Sequence, residues 1–233
     1  MRLALVGYGK MGRMIERLAT ESGTEIALIL DEHNNVDGAG LTPENFQGID
    51  AAIEFTAPSI AVSNLLRLAK LNIPTVCGTT GWFDELERVR AAFEANAGTL
   101  VYSANFSIGV NVLRRVVSEA ARWMSRQPGY ESWAWEIHHS AKKDAPSGTL
   151  LRLVEDMRAA GYDRNVDISS NRAGTHPGTH EIGFDSMADT LTVRHVARGR
   201  EGFAYGALQA AHWASAHKGV CEFAQILFSE SKE

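Results

Sequence analysis

Between Leu3 and Leu18 the chain reads Leu-Ala-Leu-Val, then Gly7-Tyr8-Gly9-Lys10-Met11-Gly12, then Arg-Met-Ile-Glu-Arg-Leu. An apolar run of four ending in glycine is a buried strand, and the spacing after Gly12 is helical. A glycine turn joining such a pair commits the chain to a βαβ unit and a parallel sheet. Gly7 permits the tight turn, Gly9 leaves the backbone open to a pyrophosphate, and Gly12 lets the helix lie close to the strand. A second strand, Glu25–Leu30, ends in Asp31, about 20 residues past the glycines, where a carboxylate binds the ribose of an adenosine. That carboxylate repels a 2′-phosphate, and neither Arg nor Lys stands between Asp31 and Gly40 to attract one. NADH is therefore the preferred cofactor, while Arg13 leaves NADPH usable.

The alternation continues, with strands over 51–55, 74–77 and 99–102 and helices over 59–71 and 82–95. Strands alternating with helices of this length make a doubly wound α/β fold of the Rossmann type, with ligands at the carboxyl ends of the strands. Three polar clusters fall at those ends: Phe55-Thr56, Gly78-Thr79-Thr80 and Ser103-Ala104-Asn105-Phe106. With Gly7, Tyr8, Gly9, Lys10, Met11, Gly12 and Asp31 they form the expected cofactor site. A net charge of −5 gives no electrostatic attraction to nucleic acid. No apolar run reaches the roughly 20 residues that span a bilayer. Cys77 and Cys221 form no Cys-x-x-Cys pair, so neither a metal site nor a disulfide is expected, and the default setting is cytoplasmic.

Past residue 106 the pattern changes. A helix over 110–124 carries Val110, Leu113, Val116, Val117, Ala120 and Met124 on a stripe that should face a core. In the strand over 133–138, alternation puts Trp133, Trp135 and Ile137 on one face and Glu136 and His138 on the other. The tryptophans are expected in the core. From Glu136 to Thr149 two imidazoles, two ammonium groups and Ser147-Gly148-Thr149 stand together, the last three at the start of a helix over 149–160 that Ser147 can cap. A helix start favours a bound carboxylate or phosphate, and the imidazoles and a nearby amine can give it protons. Strands over 166–170, 179–184 and 190–196 have short connections, so this second sheet is mixed or antiparallel and builds an α+β domain. His176, His180 and His195 are expected as polar surface or strand residues, with a place in the cleft open to one of them, and Lys143 as a solvated charge. Adjacent histidines on a strand face opposite ways and no His-Glu-x-x-His occurs, so no metal is expected. A helix over 203–217 and an apolar segment over 220–227 complete the chain.

Three motifs carry a family resemblance. Gly-Thr-Thr-Gly at 78–81, Ala-Asn-Phe-Ser-Ile-Gly-Val-Asn at 104–111, and His-His-x-x-Lys-x-Asp-Ala-Pro-Ser-Gly-Thr at 138–149 resemble the dihydrodipicolinate reductase family. The resemblance runs through the whole chain in the same order. It implies a discontinuous dinucleotide-binding domain, 1–106 with 204–233, around a substrate-binding and oligomerisation domain, 107–203. It also implies reduction by NAD(P)H of 4-hydroxy-tetrahydrodipicolinate to tetrahydrodipicolinate, with loss of water, on the diaminopimelate route to lysine, by a homotetramer. His138 matches the proton donor and Lys142 its cooperating acid. Lys142 with Ser147, Gly148 and Thr149 would hold one carboxylate of the dianionic ring, and His139 and Arg200 would orient it. The chain departs from the family in a glycine loop one residue shorter, in Glu32-His33 where an Arg often follows the acid, and in Ala141 where some members carry a third histidine. The competing expectations are an aspartate or diaminopimelate dehydrogenase-like enzyme and an inactive NAD-binding sensor. The retained His138 and Lys142 argue against both.

Overall fold

A computed structural model describes residues 1–229. Residues 230–233, the end of the segment expected in the dinucleotide-binding domain, lie outside the described residues. The first elements are β1 (Arg2–Val6), α1 (Lys10–Glu21), β2 (Glu25–Leu30), β3 (Ala51–Glu54), α2 (Pro58–Lys70), β4 (Thr75–Cys77), α3 (Leu86–Ala95), β5 (Thr99–Tyr102) and α4 (Ile108–Met124). Then come β6 (Glu131–His138), α5 (Gly148–Ala159), β7 (Val166–Arg172), β8 (Thr179–Asp185), β9 (Thr190–Val196), α6 (Glu201–Ala216), β10 (Gly219–Glu222) and α7 (Phe223–Leu227). The chain divides into two compact units, Met1–Ile108 with the segment from Arg200 onward, and Gly109–Gly199. The crossings fall at 108/109 and 199/200, against the expected 106/107 and 203/204. The second is earlier because Arg200 is the N-cap of α6, a helix of the first unit.

The first unit is a parallel six-stranded sheet in the order β10-β5-β4-β3-β1-β2. Alternation splits its strands between two cores. Leu3, Leu5 and Ile53 pack with Ile15 and Leu18 of α1 and with the alanines of α6. Ala4, Val6 and Ala52 pack on the other face with Leu65 and Leu68 of α2 and Phe93 of α3. Strands covered on both faces must be apolar throughout, as β1 is from Leu3 on. The small-residue face of α6 permits close approach: a Cβ on Gly206 would lie 1.8 Å from the carbonyl oxygen of Phe106. Trp82, expected to begin a helix, is a buried turn residue whose indole N–H donates to the Thr79 carbonyl, and α3 starts four residues later. The apolar segment over 220–227 resolves into β10, paired with β5, and the short α7, which Glu222 and Gln225 start with a capping box.

The second unit is a mixed sheet, β7-β6-β8-β9, with β6 parallel to β7 and antiparallel to β8. Its core joins Leu113, Val117 and Ala121 of α4 to Leu150, Leu153 and Met157 of α5 over Ala134, Ile182 and Phe184. Two expectations are corrected here. Val116 is 44% exposed, so the buried stripe of α4 runs instead through Val110, Leu113, Val117 and Ala121. The tryptophans are on the outer face: Ser132, Ala134, Glu136 and His138 are buried, and Trp133, Trp135 and Ile137 are half-exposed. The core face is the one with Ala134, a residue small enough for the helices to close over. Trp133 instead lies across Gly183, where a Cβ would meet its ring at 2.0 Å, and the Trp135 indole donates to Asn171 at 2.6 Å.

Candidate active site

In the first unit, β1, β3, β4 and β5 deliver their carboxyl ends to one edge of the sheet. Gly7 has φ +100, a conformation glycine adopts readily, and a Cβ there would lie 2.0 Å from the Phe55 carbonyl oxygen. A Cβ on Gly12 would lie 2.4 Å from the Gly7 carbonyl, so the turn and α1 are in direct contact. Gly9 differs: a Cβ there meets nothing within 4 Å. It is the N-cap of α1 and brings no capping side chain, so amide donors of the first turn face open space. A cavity of about 380 Å³ lies against this loop, with Gly7, Gly9, Arg13, Asp31 and Thr56 in its wall. The space, the bare helix start and the carboxylate at its far end fit a dinucleotide.

Asp31 is pre-set for that role. Its Oδ1 accepts from the amides of His33 at 2.8 Å and Asn34 at 3.2 Å. The His33 amide bond is the main reason its pKa is lowered. The Arg13 guanidinium lies over the Tyr8 ring, 5.0 Å from its centroid, in the wall of the same cavity. Next along the edge, Lys10, Met11, Thr56, Gly78, Thr79 and Thr80 border an adjoining hollow. Thr79 Oγ1 accepts from the Thr56 amide at 2.7 Å. Thr56 in turn donates its hydroxyl to Glu54, a fully buried carboxylate that also accepts from the Cys77 thiol at 3.2 Å. A third hollow is walled by Met11, Phe55, Gly78, Ala104, Asn105 and Phe106, together with Arg200 and Phe203. Ser103 ties its loop, donating to the Asn105 carbonyl and accepting from the Asn105 amide. Arg200, expected with the substrate domain, thus belongs to the first unit and to the wall shared with the expected cofactor residues.

In the second unit the signature residues gather around Glu136, which is fully buried. Its Oε1 accepts from the Ser147 amide at 2.8 Å, the Ser170 hydroxyl at 3.1 Å and the Arg172 guanidinium at 2.8 Å. Its Oε2 accepts the Ser147 hydroxyl and faces His138 Nδ1 at 3.5 Å and His180 Nε2 at 3.4 Å. Burial is the largest influence on this carboxyl and opposes ionisation. The bonds from Ser147 and Arg172 outweigh it and hold the pKa below its ordinary value. His138 is buried at the end of β6, and its pKa is lowered first by burial and further by Lys142 and Arg172, against the pull of Glu136. Lys142 Nζ pairs with Asp144 at 2.8 Å, and that bond is the main cause of the lowered Asp144 pKa. His139 is half-buried, and its carbonyl accepts from the Lys142 amide at 3.1 Å.

Ser147 requires a correction. It is buried and caps α5, accepting from the Leu150 amide at 3.2 Å, while its own N–H and O–H are both taken up by Glu136. It has no donor left for a ligand. Gly148 and Thr149, exposed and half-buried in the first turn of α5, remain. His180 is a strand residue, in β8, and not a surface one: it is buried against Glu136 and Ser147, while His176 and His195 are half-exposed. Glu136 and His138 continue the buried face of Ala134, and the signal for His180 was the strand period of β8, which puts it on the face of Ile182 and Phe184, where an apolar residue is the rule. Glu136, His138 and His180 put three ligand-type atoms within 4.8 Å of one another. The Arg172 guanidinium already balances the carboxylate and would repel a dication, so no metal is assigned.

The family model described as dihydrodipicolinate reductase, N-terminus, matches residues 1–106, and the one for the C-terminus matches residues 109–227. A 4-hydroxy-tetrahydrodipicolinate reductase of Christiangramia forsetii is 32% identical over 97% of this chain and 98% of its own length. One of Staphylococcus carnosus is 32% identical over 91% of this chain and 93% of its own. Among solved structures, dipicolinate-bound dihydrodipicolinate reductase from Paenisporosarcina sp. TG-14 has a TM-score of 0.80 at 21% identity, covering 95% of this chain and 97% of that one. Aspartate dehydrogenase from Thermotoga maritima has a TM-score of 0.50 at 11% identity, covering 91% and 95%, a likeness of fold alone. Among the described residues no helix is long and apolar enough to cross a membrane.

Proposed function

This chain belongs to the dihydrodipicolinate reductase family, and on that premise we propose how its residues divide the reaction. The reaction is the pyridine-nucleotide-dependent reduction of 4-hydroxy-tetrahydrodipicolinate to tetrahydrodipicolinate, with loss of water, on the diaminopimelate route to lysine. The observation that carries the division is the convergence of His138 and Ser147 on one buried carboxylate, Glu136.

The first unit binds the dinucleotide. Gly9 and the start of α1 would hold its pyrophosphate, Asp31 its ribose, and Phe55, Gly78, Thr79 and the 103–106 loop its nicotinamide. The nicotinamide, when bound, supplies a hydride to C4 of the substrate ring, once the 4-hydroxyl has left as water and a carbon–carbon double bond conjugated with the ring imine has formed. In the second unit, the amides of Gly148 and Thr149 and the Lys142 ammonium hold one substrate carboxylate, and His139 orients the ring. Reduction leaves an electron pair conjugated with the ring nitrogen, and His138 delivers the proton that captures it, with Lys142 assisting. Burial and neighbouring cations disfavour the imidazolium of His138 in the free protein, and two substrate carboxylates favour it. The proton thus arrives with the substrate. Trp133, Trp135 and Ile137 on the outer sheet face support a homotetramer, and we place the enzyme in the cytoplasm.

NADH is the preferred cofactor. Asp31 has one carboxylate oxygen fixed by its own turn, which leaves Oδ2 to accept from the ribose hydroxyls. A 2′-phosphate would have to sit beside that charge, with Arg13 as its cation. The test is oxidation of NADH and of NADPH by freshly made hydroxy-tetrahydrodipicolinate. Asp31→Ala raises KM for NADH by about 10–100-fold, the loss of a charged hydrogen bond, and changes KM for NADPH far less. Equal losses for both cofactors would remove Asp31 from the selection.

A further inference from the structure

On the premise that His138 gives the proton, we propose that His180 is a positioning residue: a neutral Nε2–H donor that locks Ser147 and Glu136 and thereby fixes both the proton donor and the start of α5.

The assignment follows from counting hydrogens. Ser147 Oγ has one, and it goes to Glu136 Oε2. Oγ also accepts from the Leu150 amide. His180 Nε2 stands 3.2 Å from Oγ and 3.4 Å from Oε2. Both neighbours can only accept from it, so Nε2 carries the proton. His180 Nδ1 is buried with no hydrogen-bond partner among the described residues, so a second proton there would have no acceptor. Consistent with this, burial is the main cause of a pKa pushed down to about 4, with His138 the next. The register that pairs His180 with Glu136 across β8 and β6 supplies the geometry.

The same ring bears on His138. The two imidazoles meet edge to face, 5.0 Å apart at 69°. His138 is thereby held with Nδ1 toward Glu136, and its other nitrogen lies beside Gly178, where a Cβ would come within 3.0 Å of Nε2. Nε2 is the nitrogen left to exchange its proton, and Gly178 keeps the approach to it clear. The titratable and charged groups facing the two imidazoles are Glu136 on β6, Arg172 on β7, His195 opposite His180 on β9, and Lys142 and Asp144 in the loop after β6. Removing the N–H of His180 takes a donor from Ser147 Oγ and thereby weakens the hydroxyl's own bond to Glu136 Oε2. More of that negative charge then acts on His138, and its pKa rises.

Two variants separate the donor from the ring. His180→Phe keeps an edge-on ring without an N–H, and His180→Gln restores an N–H at similar reach. For His180→Phe we expect kcat to fall and KM for the dicarboxylate substrate to rise, each by about tenfold, as for one lost hydrogen bond to a charged network. The alkaline limb of kcat moves up in pH, and KM for NADH stays within about twofold because its residues lie elsewhere. His180→Gln recovers most of kcat and the parent pH profile. In the parent protein, long-range proton–nitrogen NMR should show His180 with protonated Nε2 and bare Nδ1 throughout about pH 6–9. A titrating or Nδ1-protonated His180 overturns the proposal, as does a folded His180→Phe with the parent's KM and alkaline limb. So does a His180→Gln as impaired as His180→Phe. Should His180→Phe not fold, the parent spectrum and the Gln variant decide. A parent enzyme without reductase activity would instead defeat the functional reading, which leaves the two failures distinct.

Discussion

His138→Gln lowers kcat by about 10²–10⁴-fold, the usual contribution of a positioned general acid. Glutamine has about the length needed to keep an amide near Glu136, so packing at the end of β6 survives while the transferable proton does not. NADH binding, followed by fluorescence titration, stays within about twofold, because Gly9, Asp31 and Thr56 belong to the other unit. The alkaline limb of the kcat profile disappears with the imidazole. Turnover close to that of the parent would show that the proton comes from elsewhere, with His139 or solvent as the source.

Glu136→Ala destabilises the protein by about 3–5 kcal/mol at neutral pH, the cost of breaking a buried ion pair from one side. The carboxylate accepts four hydrogen bonds from Ser147, Ser170 and Arg172 and faces two imidazoles. Its loss leaves the Arg172 guanidinium without its carboxylate, held only by the Asn171 and Asp144 carbonyls and with no partner for Nε among the described residues, in a site from which water is largely excluded. The effect has a defined pH dependence. The folded-state pKa of Glu136 lies below its ordinary value of 4.5, so its contribution is complete above that value. It is lost as pH falls through the lower folded-state pKa. Urea unfolding of parent and variant should therefore differ most at neutral pH and less in acid. A gap that stays constant into acid would mean that packing, not charge, sets the effect.

Much of this was legible in the residues because short-range rules govern it. The glycine turn, the acid after β2 and the polar clusters at strand ends are local patterns, and all fall at one edge of the parallel sheet. The second unit was harder for a physical reason. Alternation in β6 separates Trp133 and Trp135 from Glu136 and His138, but says nothing of which face the helices cover. Hydrophobicity pointed to the tryptophans, and the requirement for a small residue under α4 and α5 chose Ala134. Ser147 looked like a ligand donor because capping and ligand binding use the same atoms, and only the position of Glu136 distinguishes them. His180 is 44 residues from Glu136, and its role rests on a strand register that no local pattern encodes.

The discontinuity of the first unit has a consequence for biosynthesis. Leu3, Leu5, Ile15 and Leu18 pack against alanines of α6, and β5 finds its outer neighbour in β10. On a translating ribosome those partners emerge only after the whole of the second unit. A nascent chain that has reached residue 199 can complete its mixed sheet while an apolar face near its own N-terminus remains uncovered. That interval exposes the newly made polypeptide to chaperone capture, and a ribosome stalled within it would release a product with one finished half and one adhesive half.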